Sequence, residues 1–116
     1  MHIAMKRIYD EPSRDDGIRI LIDRLWPRGV SKSDAKVDVW AKDLAPTSEL
    51  RKWYNHEQSK RSSFVRKYRE ELEEKETAVQ ELLSSVDKRK RLTLLTATKD
   101  INQSHAPILG EFLDRQ

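Results

Sequence analysis

The sequence predicts one α/β domain over residues 1–116, built on a mainly parallel sheet of three or four strands flanked by helices. Three observations lead there. Two runs, residues 18–26 and 91–98, are apolar at nearly every central position, as strands buried on both faces are. A long amphipathic stretch, residues 64–86, separates them and leads into the second. Strand, helix and strand in that order join most economically through a right-handed crossover into one parallel sheet.

Each element has its own signal. Residues 2–9 carry two isoleucines and an aromatic residue and are bounded by polar turn residues, which predicts a first strand. Asp15, Asp16 and Gly17 form the turn before the second strand, with glycine supplying a permissive backbone. Residues 37–40 alternate apolar and polar and predict a short edge strand. Residues 48–54 predict a short helix, with Thr47 as its cap and Glu49 in the first turn, where the helix dipole favours negative charge. Within 64–86, Val65, Tyr68, Leu72, Val79, Leu82 and Val86 recur at helical spacings. The charge-only interval 73–76 breaks that stripe, so one long helix and two consecutive ones both remain open. The last helix, about residues 105–115, is capped by Ser104, with Pro107 in its first turn, where no amide bond is lost.

Composition narrows the function classes. A chain of 116 residues is large enough to bury roughly two-thirds of its unfolded surface in one core. No run of about 18 apolar residues occurs, and the basic start is not followed by an export-type apolar region. A cytoplasmic location without membrane insertion is the expectation. The chain has no cysteine, which excludes disulfides, thiolate nucleophiles, zinc–thiolate sites and iron–sulfur clusters. No cofactor is expected. His2 and His56 have no partner pattern, so no metal site is expected either. The charge of +3, from 23 basic and 20 acidic residues, permits an anionic partner without requiring one.

Ligands of parallel sheets bind beyond the carboxyl ends of the strands, where loops and helix amino termini converge. That rule selects two segments. The first, residues 23–29, reads DRLWPRG and holds Asp23, Arg24, Trp26 and Arg28. Guanidinium forks match carboxylate or phosphate oxygens, and an indole face can hold a ring or a cation beside them. The structural alternative is an ion pair between Asp23 and one of the arginines, a core tryptophan and a Pro/Gly turn. The second segment, residues 96–105, holds Lys99, Asp100, Ser104 and His105. A histidine in a first helical turn is kept neutral by the dipole and can accept or donate one proton, while free amides there can hold an anion. A capping and packing histidine is the structural alternative. The basic tetrapeptide at 88–91 reads as a solvated loop or as a nucleic-acid contact. Trp26, Trp40 and Trp53 are all expected to be largely buried.

The same segments carry a resemblance. Lys6-Arg7-Ile8-Tyr9-Asp10, Asp15-Asp16-Gly17, DRLWPRG at 23–29, WAKDLAP at 40–46, ELRKWY at 49–54, FVRKYREEL at 64–72, LLTATKD at 94–100 and then Ser104-His105 together resemble the YeaO-like branch of the family called domain of unknown function 488. The resemblance runs over almost the entire chain and implies a compact α/β fold. It brings no activity, cofactor or catalytic residue. A more distant branch often has a cysteine near the end of the last strand and a Cys-His-Arg at the final helix start. Here those regions read Thr96-Ala97-Thr98 and Ser104-His105-Ala106, so any thiol chemistry of that branch does not apply.

The resulting expectation is a small anionic ligand, such as a nucleotide or another phosphate, held between the two loops. Arg24, Arg28, Lys99, Trp26 and Ser104 would bind it, and Asp23, Asp100 or His105 would handle protons. Whether turnover follows is left open. The alternative from another class is a non-catalytic module that binds nucleic acid or protein.

Overall fold

The computed structural model describes residues 1–116 and contains four strands, β1 (Ile3–Arg7), β2 (Ile18–Leu21), β3 (Val39–Trp40) and β4 (Leu92–Thr96). They form one sheet in the order β1, β4, β2, β3, and every pairing is parallel. The four-strand α/β architecture is the expected one, but each strand is shorter than its apolar run. The end of β2 shows why. The Ile22 amide still donates to the Leu95 carbonyl at 3.0 Å. One residue later the Asp23 side chain, not a main-chain carbonyl, receives the Ala97 amide at 2.7 Å. The ladder stops there, and residues 23–26 become loop.

Alternation along the strands divides the core. Ile20, Ile22, Leu92 and Leu94 face four helices, α2 (Ser48–Tyr54), α3 (Arg61–Glu73), α4 (Glu76–Ser85) and α5 (Ala106–Asp114). Phe64, Tyr68 and Leu72 repeat every four residues down α3 and are buried, so Tyr68 and Leu72 of the predicted stripe lie on the packed face, while Val65 is half-buried at its edge. Tyr68 is fully buried and donates its hydroxyl to the Leu44 carbonyl at 2.5 Å, which removes the cost of an unpaired phenol. Burial pushes its pKa well up. The charged interval 73–76 separates two helices, because the Lys75 ammonium is drawn to the carbonyls of Asp43 and Ala45 at 2.7 and 3.2 Å.

The other face of the sheet differs from expectation. Leu21, Leu95 and Ile8 pack there against Ala35 and the half-buried Trp26, Val30, Val37 and Trp40. The cover consists of loops and the single-turn helix α1 (Lys32–Ala35) rather than a helix layer. Residues 8–17 hold only a 3-10 turn at Arg14–Asp16. Beneath it Asp16 and Arg19, each 4% exposed, meet at 2.6 Å, and Lys6 joins Asp16 at 3.1 Å. The Arg19 guanidinium also donates to the Ala35 carbonyl at 2.9 Å. Burial would raise the Asp16 carboxyl, but the Ser13 amide, Lys6 and Arg19 outweigh it and hold the pKa below the ordinary carboxylate value. Gly17 follows at φ 66°, and a Cβ there would run into the Arg91 carbonyl, so the turn requires glycine.

The predicted caps are present. Thr47 accepts the Leu50 amide at 3.2 Å and anchors α2 to α3 by donating its hydroxyl to Glu71 at 2.7 Å. Ser104 accepts the Ala106 amide at 3.1 Å, with Pro107 in the first turn of α5. No helix is long and apolar enough to cross a membrane.

Candidate functional site

Where β2 and β4 end, the loops beyond them diverge and leave a cleft of about 410 Å³. The loop after β2 supplies Asp23, Arg24, Trp26 and Arg28. The segment from β4 into α5 supplies Ala97, Thr98, Ser104 and His105, and the chain around α2 supplies Ala45, Pro46, Arg51, Tyr54 and His56. Six of the eight residues expected from sequence therefore share one concave surface. Lys99 and Asp100 do not. Both are exposed, in the short connection that precedes the 3-10 turn Ile101–Gln103, and neither lines the cleft.

Asp23 sits at the junction of the strands, and its hydrogen bonds are taken. One carboxylate oxygen accepts the Thr96 hydroxyl at 2.7 Å and the other the Ala97 amide at 2.7 Å. Its main-chain carbonyl accepts the Trp40 indole N–H at 2.8 Å. The structural alternative for Asp23 is thus realised through β4, not through a pair with Arg24 or Arg28. Ser104 is likewise engaged, donating to the Ile101 carbonyl at 2.6 Å while capping α5.

His105 is held by Nε2, which lies 2.9 Å from the Ile22 carbonyl. A carbonyl only accepts, so the neutral ring carries its proton on Nε2 and leaves the Nδ1 lone pair free. The same Nε2 is 3.8 Å from Asp23, too far for a hydrogen bond. Tyr68 packs edge-on against the ring, with centroids 5.8 Å apart. Burial lowers the His105 pKa; the Ile22 hydrogen bond and the Asp23 charge oppose that, and His56 and Arg61 add to it.

Arginines dominate the electrostatics. Arg24 donates to the carbonyls of Ala45 and Pro46 at 3.3 and 3.1 Å, fastening the β2 loop to the start of α2. Arg7 behind the cleft donates to the Ala97 and Thr98 carbonyls at 3.1 and 3.2 Å. Arg61 donates to those of Gln103 and Ser104, both at 2.9 Å. Arg28 and Arg51 make no side-chain hydrogen bond, and none of the five arginines is ion-paired. Asp23 is the one carboxylate in the lining. Several positive groups and one negative group around a partly enclosed, partly apolar space favour an anion. No cluster of three or more metal-ligating side chains is present.

Trp26 forms part of the wall, its indole N–H donating to the Val30 carbonyl at 2.7 Å and its ring edge-on to Trp40 at 5.4 Å. Both are half-buried. Trp53 departs from expectation, being 37% exposed with the Lys60 and Lys67 ammonium groups 5.1 and 4.6 Å from its ring. It lies roughly 100° around α2 from the buried Tyr54, off the packed face. Sequence reasoning missed Arg51, His56, Tyr54 and Pro46. Their approach to residues 23–28 is purely tertiary, and no local pattern announced it. The basic tetrapeptide precedes β4 and so lies at the opposite end of the sheet, with Arg89 paired to Asp87 at 3.1 Å.

Fold and site together define a parallel α/β domain with a cationic cleft at the carboxyl ends of its strands. The chain belongs to the DUF488 family, since residues 2–116 match the family model described as the inactive DUF488-N3 subclade. The Escherichia coli uncharacterized protein YeaO is 41% identical over 113 residues, covering 97% of both chains. Uncharacterized proteins of Mycobacterium tuberculosis and Mycobacterium bovis are each 38% identical over 112 residues, covering 97% of this chain and 93% of theirs. No solved structure matches the chain.

Proposed function

We propose that this is a cytoplasmic protein that binds a small, phosphate-bearing organic anion in the cleft without transforming it. The observation that carries the reading is the pair Arg28 and Arg51, two guanidinium groups without partners at a cleft whose only carboxylate is already committed. Such forks match phosphate oxygens, and the apolar lining accommodates the rest of an organic anion. Arg24, Trp26 and the helix start at Ser104 shape the same space. Lys99 and Asp100 drop out of the reading because they lie outside the cleft.

Binding without turnover is favoured by how the polar groups are used. Acid–base or nucleophilic chemistry needs a group within hydrogen-bond reach of a partner that activates it. Here the Ser104 hydroxyl and both oxygens of Asp23 are occupied by structural hydrogen bonds, and His105, whose Nδ1 is free, has only a main-chain carbonyl and no carboxylate hydrogen-bonded to its other nitrogen. The description of the matching subclade as inactive agrees with this reading.

A thermal-shift titration with ribose 5-phosphate and nucleoside monophosphates tests it. Saturation at a hundred times Kd is expected to stabilise the protein by about 2.7 kcal/mol. The effect should vanish in Arg28→Ala and weaken in Arg51→Ala. Absence of any shift across phosphate-bearing compounds would refute the reading. The alternative of a nucleic-acid module draws on Trp53 and its flanking lysines, but only one of the three tryptophans is exposed in a basic setting.

A further inference from the structure

The depth of the cleft is chemically unlike its mouth. His105, whose side chain is 11% exposed, contributes one free atom, Nδ1. No buried side-chain nitrogen or oxygen in the protein lacks a partner, and Nδ1 has none within the chain, so it opens onto the cleft that His105 lines. A neutral Nδ1 with its proton fixed on Nε2 only accepts. The buried part of a ligand must therefore bring a hydrogen-bond donor, and burying a group there that cannot donate leaves the acceptor unsatisfied. The exposed groups Arg28 and Arg51, by contrast, only donate and carry full positive charge.

Resting on the anion-binding reading above, we infer that the ligand is a nucleoside monophosphate, or a heterocyclic phosphate of that chemistry. Its ring N–H points to Nδ1 of His105, and Arg28 and Arg51 take its phosphate. The cleft volume of about 410 Å³ falls near the lower end of ordinary small-molecule sites, roughly 300–1,000 Å³, and suits one heterocycle with one sugar phosphate. Ala97 and Phe64 line the same cleft as His105 and give it apolar surface for a heterocycle. Burial keeps His105 neutral, so the site remains an acceptor near pH 7. His105 acts here as a specificity determinant, not as an acid or base.

Calorimetric titration tests this with five probes. They are uridine and guanosine monophosphates, their N3-methyl and N1-methyl counterparts, and ribose 5-phosphate. At least one unmethylated nucleotide is expected to bind roughly tenfold or more tighter than its methylated partner. His105→Phe should erase that difference. Because a buried substitution can disturb folding, the wild-type ¹⁵N signal of Nδ1 gives a second readout. It should move with the unmethylated nucleotide and stay put with the methylated one. Equal affinity for both members of each pair would overturn the inference, as would binding of ribose 5-phosphate alone, and either result leaves the anion-binding reading standing. Failure of every phosphate to bind would overturn both. Tighter binding of a short oligonucleotide than of any monophosphate would also overturn the inference, by making a strand the occupant.

Discussion

Two charged regions flank the same sheet and are built on opposite terms. Under the loops on one face, Asp16, Arg19 and Lys6 close on one another, with the Ser13 amide and the Ala35 carbonyl completing their bonds. At the carboxyl ends of the strands, Arg24, Arg28 and Arg51 surround a cleft without a single ion pair, and Asp23 is spent on β4. The first region resolves its charge internally and serves the fold. The second leaves positive charge unresolved at a concave surface, which is what a site for an external anion requires. Arginine content alone does not separate the two, but the placement of carboxylates does.

The contrast breaks most visibly in stability. Asp16→Ala leaves Arg19 buried without its carboxylate, so urea unfolding should show a loss of about 1.5–3 kcal/mol, the range for hydrogen bonds to charged groups. Asp23→Ala should cost less, about 1–2 kcal/mol, because the Thr96 hydroxyl and Ala97 amide lose their acceptor at a position with some access to water. A loss under about 0.5 kcal/mol in the same assay would show that Asp23 is not the clasp between β2 and β4, and would return it to the pool of free site groups.

A smaller effect concerns pH. The folded protein holds the His105 pKa below its ordinary value of 6.5, so the unfolded chain binds more protons as pH falls through that region. The contribution of neutral His105 is fully present above 6.5 and is lost as pH drops toward the folded pKa. Melting temperatures measured from pH 7.5 down to 5 should fall more steeply for the wild type than for His105→Phe. Parallel curves would mean that the imidazole is not held neutral by its surroundings. The smallest effect is expected from Arg28→Ala in the absence of ligand, within about 0.5 kcal/mol of wild type, since the side chain is exposed and makes no hydrogen bond or ion pair.

Much of this architecture is legible in the sequence because it is encoded locally. The apolar runs at 18–26 and 91–98 announce the two central strands, the stripe through Tyr68 and Leu72 announces α3, and Thr47 and Ser104 announce their caps. The rule that loops after parallel strands form the site singles out Asp23, Arg24, Trp26, Arg28, Ser104 and His105, and all six line the cleft. What the sequence does not carry is direction after a strand ends. Lys99 and Asp100 come directly after Thr98, yet they are left in solvent ahead of the 3-10 turn. Arg51 and Trp53 share one helical turn, and only the packing of Leu50 and Tyr54 decides that Arg51 borders the cleft and Trp53 faces out. The loop cover on the second face is equally tertiary, since nothing local distinguishes a strand roofed by loops from one roofed by helices.

The central claim is that unpaired arginines at the carboxyl ends hold a small anion, and salt dependence addresses it most directly. Ribose 5-phosphate and a short oligonucleotide should be titrated at two salt concentrations into wild type, Arg28→Ala, and a variant with Lys88, Arg89 and Lys90 neutralised. Two or three cations around one phosphate predict a shallow slope, more than tenfold weaker binding in Arg28→Ala and no change in the triple variant. Nucleic-acid binding instead falls by about 0.9 log units per phosphate contact for each tenfold rise in salt. Steep oligonucleotide binding that survives Arg28→Ala and disappears in the triple variant would contradict the account.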